Sequence, residues 1–516
     1  MWLTLLALLT SVAAVAQTTG HPTGTFTRGP VTLELTDSTF RASVAGQLGA
    51  AGRLSWRGDT VSVRDTDGPR ACSPQVEGRF VAMRRADTLR LTLVADPCAG
   101  RRGVFAGGPY VRAATDFRVL EGVTLIDGTG SPPRANMSVE VRAGRISDVY
   151  PTGTRQAAAG AAVTDLRGRW LIPGLIDAHV HLATDPSRTD LRATVATRLR
   201  AAARGGITTV RDMAGDARSL AELARATRVG DLEGPDIHYS AIWAGADFMG
   251  DPRVTSSTRG TTPGTEPWMR TVDDRTDWAV LAAEARGSGV RGVKLYADGS
   301  PAIVRKAVDA AHAAGLKVWA HATLFPAKPS DLVEAGVDVL SHAPLLAWEA
   351  VDSLPGYRAR YAAPFERASP EEPRVTALLR RMAERGTLFE PTMFVFSREG
   401  TNPSMAQWAT AVTRRAIAAG VAIVAGTDGL IGDGDTPVPN LHRELELLVS
   451  AGLTPAQALQ AATFNAAKAI GIEQHTGSIR PGLWADFVVL TGDPFADIRN
   501  TRKIERVIKR GADVSR

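Results

Sequence analysis

Two histidines, His179 and His181, lie at the end of an apolar segment, residues 171–182, with one residue between them. The segment is predicted to be a buried strand, and side chains at positions i and i+2 of a strand point to the same side. Both imidazoles can therefore reach one point at the strand end, beside Asp177. Imidazole and carboxylate groups are ligands that divalent metals such as zinc accept. The spacing therefore predicts a metal site.

Four more side chains with nitrogen or oxygen donors stand at or near the ends of later apolar segments. They are Lys294 in RGVKLYADG, His321 in KVWAHA, His342 in VDVLSHA and Asp428 in IVAGTDG. Each of them alone could be an ordinary core residue. A set of six such donors at strand ends instead indicates one shared site.

The elements that must position these donors alternate along the chain. Between residues 174 and 470, short apolar strands such as GVKLYAD and VAIVAGTD alternate with stretches of helical period such as PAIVRKAVDAAHAAG. Together with the strand at residues 171–179 they make eight β units. This count predicts an α/β fold, a (β/α)8 TIM barrel over residues 167–473, in which functional groups sit at the carboxyl ends of the strands.

The remaining chain is predicted to be β-rich. Residues 24–112 alternate apolar and polar positions between turn signals, which predicts a small all-β domain. Residues 116–166 and 474–516 also carry strand patterns, and we expect them to join in a small β-sandwich beside the barrel. Two cysteines, Cys72 and Cys98, fall in the N-terminal domain, and we expect them to form a disulfide.

The first 16 residues indicate export. They form an apolar run that ends in Ala-Val-Ala, which is typical of a cleaved signal peptide and too short for a permanent membrane span. We therefore expect a periplasmic or secreted protein with no integral membrane span. The net charge of +6 is spread over 516 residues among mixed charges, which argues against a nucleic-acid partner. The sequence leaves a homo-oligomer open.

Four features of this sequence resemble those of the amidohydrolase superfamily. They are the motif PGLIDAHVH, the strand-end histidines, the motif GTD and the C-terminal segment GSIRPGLWADFVVL. The resemblance covers about residues 116–516 and is greatest to the imidazolonepropionase-like and prolidase-like subgroup. It implies hydrolysis of carbon–nitrogen bonds in small amide, lactam or N-acyl substrates at two divalent metals, here expected to be zinc. The implied ligands are His179, His181 and Asp428 for one metal, His321 and His342 for the other, and a carboxylated Lys294 as the bridge.

The chemistry of lysine supports that assignment for Lys294. Almost all cationic side chains of this protein are arginines, which stay protonated. A desolvated lysine can lose its proton and react with carbon dioxide. If the carbamate does not form, the site would hold one metal. By the resemblance, Asp428 would act as general base and then general acid, and His342 would help to stabilise the oxyanion.

Substrate choice is expected to lie in the loops after the strands. Trp243, Phe248, Tyr296 and His442 are candidate wall residues. The loop WAGADFMGDPR departs from the prolidase-like pattern, which puts dipeptide hydrolysis in doubt. The alternatives are an Xaa-Pro dipeptidase, an ester or lactone hydrolase, a barrel that binds ligands without turnover, and a polymer-binding module in the N-terminal domain.

Overall fold

The computed structural model describes residues 21–514 except positions 23, 37, 86–87, 113–116, 158–160, 185–190, 364 and 430–438. The expected signal peptide, residues 1–16, lies outside the described residues. The chain divides into two compact units, Met1–Asp116 and Phe117–Arg516. Among the described residues, no helix has both the length and the apolar character needed to cross a membrane.

The described residues of the first unit form a closed antiparallel barrel of eight strands with one helix. Apolar side chains alternate with polar ones along the strands and fill the interior, where Phe26, Leu33 and Phe80 are fully buried. The prediction of an N-terminal all-β domain is confirmed. Its elements are β1 (Gly24–Arg28), β2 (Val31–Leu35), β3 (Thr39–Val44), β4 (Gln47–Arg57), β5 (Thr60–Asp67), β6 (Glu77–Arg85), β7 (Thr88–Ala95), α1 (Ala99–Phe105) and β8 (Tyr110–Arg112).

Helix α1 is fixed to this barrel at its first turn. Cys98 is the N-cap of the helix and forms a disulfide with Cys72, with their Cα atoms 6.3 Å apart. Arg101 lies 2.9 Å from the Asp65 carboxylate and 2.7 Å from that of Asp96, and all three side chains are buried. Pairing and hydrogen bonding of this kind offset the free-energy cost of burying charged groups. The disulfide and the ion cluster therefore hold the helix in one position.

The second unit opens with strands of a mostly antiparallel outer sheet. In this sheet β10 lies between β9 and β11, and β13 pairs with β9 in parallel. The strands are β9 (Phe117–Leu125), β10 (Arg134–Arg142), β11 (Arg145–Pro151), β12 (Ala162–Asp165) and β13 (Trp170–Pro173).

One predicted strand, residues 171–179, is divided in the structure. Its first part belongs to β13 in the outer sheet, and its second part is β14 (Leu175–Val180), which begins the parallel sheet. The division falls at Gly174, where a β-carbon would overlap the side chain of Thr208. Glycine permits this close approach. Both parts are buried, so apolar content alone could not mark the boundary.

The centre of the second unit is a parallel sheet. After β14 the strands are β15 (Ile207–Asp212), β16 (Asp236–Ala244), β17 (Thr265–Glu266), β18 (Met269–Thr271), β19 (Gly292–Tyr296), β20 (Asp298–Gly299), β21 (Lys317–His321), β22 (Phe325–Pro326), β23 (Val339–Ser341) and β24 (Leu388–Glu390). Seven of them lie parallel in the order β14-β15-β16-β19-β21-β23-β24. The sheet is TIM-like, as predicted, in a mixed α/β chain.

Helices connect and follow these strands. In the described part of the chain, four short 3-10 helices cover Ala246–Phe248, Ala343–Ala350, Tyr357–Ala359 and Ile498–Arg502. The α-helices are α2 (Leu191–Arg204), α3 (Ala217–Val229), α4 (Pro252–Ser257), α5 (Trp278–Gly287), α6 (Pro301–Ala313), α7 (Pro329–Ala335), α8 (Pro373–Arg385), α9 (Met393–Phe396), α10 (Pro403–Ala418), α11 (Leu441–Ser450), α12 (Pro455–Ala461) and α13 (Phe464–Ile470).

Residues 421–428, predicted as the eighth strand, are bonded to both edges of the parallel sheet. On one side the Val424 amide donates to the carbonyl of Phe389 in β24, at 2.8 Å. On the other side the Ala178 amide donates to the Ala425 carbonyl at 3.1 Å, and the Asp428 amide donates to the His179 carbonyl at 2.9 Å. These bonds fix Asp428 directly beside β14.

The end of the chain returns to the outer sheet. Its last strands extend that sheet from β13, which pairs with β25 in antiparallel register from Trp170 opposite Leu490. Segments from both ends of the second unit thus share one sheet. The three strands are β25 (Phe487–Leu490), β26 (Ile504–Lys509) and β27 (Ala512–Asp513).

Candidate active site

The six predicted donors lie at one edge of the parallel sheet. Parallel strands bring their carboxyl ends to the same edge, which is where functional groups of TIM-like folds gather. The rings are close neighbours: the centroids of His179 and His181 are 5.4 Å apart, those of His179 and His342 are 4.9 Å apart, and those of His342 and His321 are 4.7 Å apart. Residues far apart in sequence therefore share one neighbourhood.

Three of these donors form a group suited to a cation. Ligand atoms of His179, His181 and Asp428 all lie within 4.8 Å of one another. The Asp428 Oδ1 atom is 2.9 Å from His181 Nε2 and 3.5 Å from His179 Nε2. His179 Nε2 and His181 Nδ1 are buried and have no hydrogen-bond partner among the described residues. Two imidazoles and a carboxylate with ligand atoms left free fit a divalent metal.

The electrostatics of this group favour a charged carboxylate. Burial alone would raise the pKa of Asp428, but the neighbouring His179 and His181 outweigh it and hold that pKa below its usual range. Burial lowers the pKa of His179. Burial also acts against the charge on His181, but the hydrogen bond to Asp428 and its charge prevail and raise the pKa of that ring.

A buried ion pair behind His179 was not foreseen from the sequence. Glu390 Oε2 lies 2.7 Å from His179 Nδ1, and Glu390 Oε1 lies 2.7 Å from Arg211 Nη2. All three side chains are fully buried. Burial acts to raise the pKa of Glu390, but Arg211 and His179 lower it to about 2. A carboxylate on Nδ1 makes that nitrogen the protonated one and leaves Nε2 for a ligand.

The sequence contains a signal for each of these two residues, although not for the contact between them. Glu390 is the last residue of β24, and Arg211 is the next-to-last residue of β15. Both therefore stand at strand ends, the positions that singled out the other donors. The contact between Glu390 and Arg211 joins residues 179 positions apart, and such a separation leaves no local pattern.

Lys294 lies in the same hydrogen-bonded chain. Its Nζ donates to Ser341 Oγ at 3.0 Å, and Ser341 Oγ in turn donates to Glu390 Oε2 at 2.9 Å. Lys294 is fully buried, and this burial lowers the pKa of its ammonium to about 7. Tyr296 faces the same side of β19 as Lys294 because the two residues are two positions apart.

His342 and Asp428 have strained backbones. Their φ angles are 77° and 55°, and that of Thr392, whose Oγ1 lies 2.9 Å from His342 Nδ1, is 50°. Residues other than glycine rarely adopt this left-handed region, and such strain collects at functional sites. The fold therefore holds these two side chains in orientations that a relaxed backbone would not give.

Two of the four predicted wall residues lie at the site. Phe248 and Tyr296 stack with centroids 4.5 Å apart, and Tyr296 is 4.1 Å from the His321 ring. Phe248, Tyr296, Arg253 and His181 line one small cavity. The loop that departs from the prolidase-like pattern thus supplies two of its walls, Phe248 and Arg253.

The structure places the other two predicted wall residues, Trp243 and His442, away from this small cavity. Trp243 packs against Trp278 of α5, with centroids 6.0 Å apart. Its neighbour Ile242 lines the small cavity, and consecutive strand side chains point to opposite faces, so Trp243 faces the helices. His442 Nε2 lies 2.9 Å from the carbonyl of Gly205, and its Nδ1 lies 3.0 Å from a threonine hydroxyl. His442 therefore packs against these two groups and not among the other histidines.

A cation on the segment after β23 approaches the site. Arg360 lies over the ring of Tyr357 at 4.2 Å and over that of Tyr361 at 4.9 Å. Its Nε is buried and has no hydrogen-bond partner among the described residues. The charge of Arg360 contributes to the lowered pKa of His321, after burial, His342 and Lys294.

Sequence comparisons find relatives over most of the second unit. Residues 170–514 match the amidohydrolase family. The chain is 28% identical to imidazolonepropionase of Chromobacterium violaceum over 68% of this chain and 84% of that protein. It is 42% identical to allantoinase of Streptomyces avermitilis, but over only 22% of this chain and 23% of that protein.

Solved structures share the fold. The A. niger ochratoxinase structure has a TM-score of 0.62 at 22% identity and covers 77% of this chain and 95% of that chain. A Xaa-Pro dipeptidase has a TM-score of 0.59 at 22% identity and covers 77% of this chain and 99% of that chain. The family match extends over the parallel sheet and all six strand-end donors. This protein belongs to the amidohydrolase family.

Proposed function

We propose that the protein is a metal-dependent hydrolase that cleaves an amide-type carbon–nitrogen bond in a small molecule. The observation that carries the proposal is the group of His179, His181 and Asp428, whose ligand atoms converge within 4.8 Å. Family membership supports a hydrolytic reaction on a small substrate.

We propose that the site takes two cations, expected to be zinc. His179, His181 and Asp428 would hold one, His321 and His342 would hold the other, and a carboxylated Lys294 would bridge them. The pKa of about 7 for Lys294 supports this, because much of the amine is then unprotonated at neutral pH and able to react with carbon dioxide. The carbamate forms as the amine nitrogen attacks carbon dioxide and releases a proton.

Different residues of the chain take different roles in the proposed reaction. A bound divalent cation supplies Lewis acidity and makes water more acidic. Asp428, ionised at neutral pH because its pKa is low, accepts the proton of the attacking water and returns it to the leaving nitrogen. His342, oriented through Nδ1 by the Thr392 hydroxyl, would hold the second cation through Nε2 and in that way help to stabilise the oxygen on which charge develops. Phe248 and Tyr296 would hold an apolar part of the substrate.

The test is turnover of a substrate panel before and after metal removal. The panel contains N-acyl amino acids, dipeptides, lactams and matched esters. We expect turnover of at least one amide-type substrate, its loss on chelation and its return with zinc. Ligand binding without turnover of any substrate would contradict the proposal, as would turnover of esters alone or activity that survives complete chelation.

A dipeptidase of the Xaa-Pro type is a second candidate, and Arg360 is the observation that favours it. A guanidinium with a buried Nε that lacks an acceptor is suited to a substrate carboxylate. Arg360→Met should then raise KM at least tenfold for an Xaa-Pro dipeptide and leave its carboxamide derivative unchanged. Arg358→Met, two residues before Arg360 in the chain and exposed, is the matched control. Equal effects on both substrates would contradict a role in carboxylate binding.

Two further assignments are also proposals. We propose that residues 421–428 act as the eighth strand that closes the parallel sheet, supported by their backbone hydrogen bonds to Phe389 and Ala178. We propose export to the periplasm or the medium, supported by the apolar run of residues 1–16 and by the Cys72–Cys98 disulfide, since disulfides persist in oxidising compartments.

A further inference from the structure

The N-terminal barrel contains a cavity that the hydrolase site does not use. Its volume is about 100 Å³. Two phenylalanines, Phe40 and Phe105, are buried at its lining, and Ala42, Val44 and Val104 complete the apolar surface. The cavity therefore lies between β3 and helix α1, within the first unit.

Small residues keep this cavity open. Gly49, Ala50 and Gly100 line it together with Ala42. Gly100 lines the cavity at an exposed position, and a β-carbon added there would meet no other atom within 4 Å, so no side chain closes the cavity at this point.

The polar groups in the wall have partners already. Asp65 accepts from Arg101 at 2.9 Å and from the Cys72 amide at 2.7 Å, and Arg101 also donates to Asp96. These buried groups leave no free charge for a ligand. Arg70 lies at the lining but is exposed to solvent, where a charge interaction is weak. The cavity thus offers apolar contact rather than a charge partner.

We propose that the barrel binds a small, uncharged apolar molecule of about one aromatic ring. An apolar cavity of about 150 Å³ stays dry and accepts benzene, so a space of this order suits a ligand of that size. Helix α1, held by the disulfide and the Arg101 ion cluster, keeps the site preformed. This proposal does not depend on the proposed hydrolase function.

The experiment measures toluene binding to the full-length protein by saturation-transfer NMR. Gly100→Leu would fill the cavity, and Val44→Phe would fill it from the β3 side. Gly103→Leu is the matched control, because Gly103 lies on the same helix, has equally open surroundings and does not line the cavity. Benzoate, which has the same ring and a carboxylate, tests a contribution from Arg70.

We expect the wild-type protein and Gly103→Leu to bind toluene equally, and both filling variants to bind it at least tenfold more weakly. Melting curves verify that each variant folds, and two filling variants on different walls keep the test valid if one does not. Toluene binding that is absent in the wild type or unchanged in both filling variants overturns the proposal. Tighter binding of benzoate than of toluene overturns the uncharged ligand class.

Discussion

At the scale of single residues, the candidate site depends on side chains that orient the histidines as much as on the histidines themselves. Glu390 is placed between His179 and Arg211, with both contacts at 2.7 Å and no solvent access. Removing one partner of a buried pair leaves an uncompensated charge. The arrangement ties the orientation of His179 to the guanidinium of Arg211.

Glu390→Gln should therefore weaken metal binding. The amide accepts a hydrogen bond less strongly than the carboxylate, so His179 Nε2 becomes a poorer ligand. We expect the dissociation constant for zinc to rise about 10- to 100-fold. Competition with a chromophoric chelator measures it. Glu349→Gln, which also alters a buried carboxyl group, should leave zinc affinity unchanged; an equal loss there would indicate a general packing effect.

Asp428→Asn should separate chemistry from binding. The amide keeps an oxygen near His181 but cannot accept the proton of the attacking water. We expect kcat to fall about 10²- to 10⁴-fold while the protein stays folded and keeps most of its metal. Steady-state kinetics and metal content report the two effects. Asp274→Asn, at an exposed position, is the control, and an Asp428→Asn protein with wild-type kcat would refute the role.

At the scale of elements, a short helix is fixed by a carboxyl group from another helix. Glu444 on α11 accepts hydrogen bonds from the first two amides of α9, at 3.1 Å from Met393 and 2.6 Å from Phe394. The same helix carries Phe396, whose ring centroid is 6.0 Å from that of His342. Burial raises the pKa of Glu444 to about 8 despite these bonds.

This raised pKa gives a pH dependence of stability with a definite sign. The folded state holds the Glu444 proton more tightly than the unfolded state, where the pKa is about 4.5. The contribution of this pKa difference to the free energy of unfolding is therefore complete below pH 4.5 and is lost as pH rises toward 8. Glu444→Gln should therefore reduce the fall in unfolding free energy between pH 5 and pH 8 by at least about 1 kcal/mol.

Urea unfolding of the metal-free protein at three pH values measures that difference. Glu399→Gln, an exposed glutamate near the same helix, should follow the wild type. Parallel pH profiles for the wild type and Glu444→Gln would contradict the assignment.

The positions of strand ends could be predicted from the sequence, but contacts between distant residues could not. Strand ends are recognisable because an apolar run stops at a polar donor: His179 and His321 lie in β14 and β21, and His342 directly follows β23. The sequence does not say which strand face meets the interior, and in the structure Trp243 packs against Trp278 of α5. The break at Gly174 depends on contact with Thr208, and the Glu390–Arg211 pair joins residues 179 positions apart. Such long-range contacts leave no local pattern.

At the scale of the whole molecule, the chain consists of two units with separate cores. The core of the first is built from barrel residues such as Phe26 and Phe80, and the parallel sheet and outer sheet of the second have their own clusters. All six candidate ligands fall in the second unit, Phe117–Arg516. The residues proposed for hydrolysis therefore all follow the barrel segment in the sequence.

A chain shortened to residues 117–516 should keep its metal and at least half of its kcat, because every proposed ligand remains. Metal analysis and kinetics of the shortened and full chains measure this, with the toluene signal of the barrel lost in the shortened chain. A folded shortened chain that binds metal but lacks turnover would contradict the independence of the second unit and would place part of the function in the barrel.

The most direct test of the central claim is the metal content of the purified full-length protein, measured by mass spectrometry after expression with zinc. We predict about two equivalents per chain in the wild type and a large loss in a His179→Asn, His181→Asn double variant that remains folded. One equivalent would contradict the bridged pair and leave a single-metal site. A folded wild-type protein without bound metal, or a double variant with unchanged content, would contradict the account as a whole.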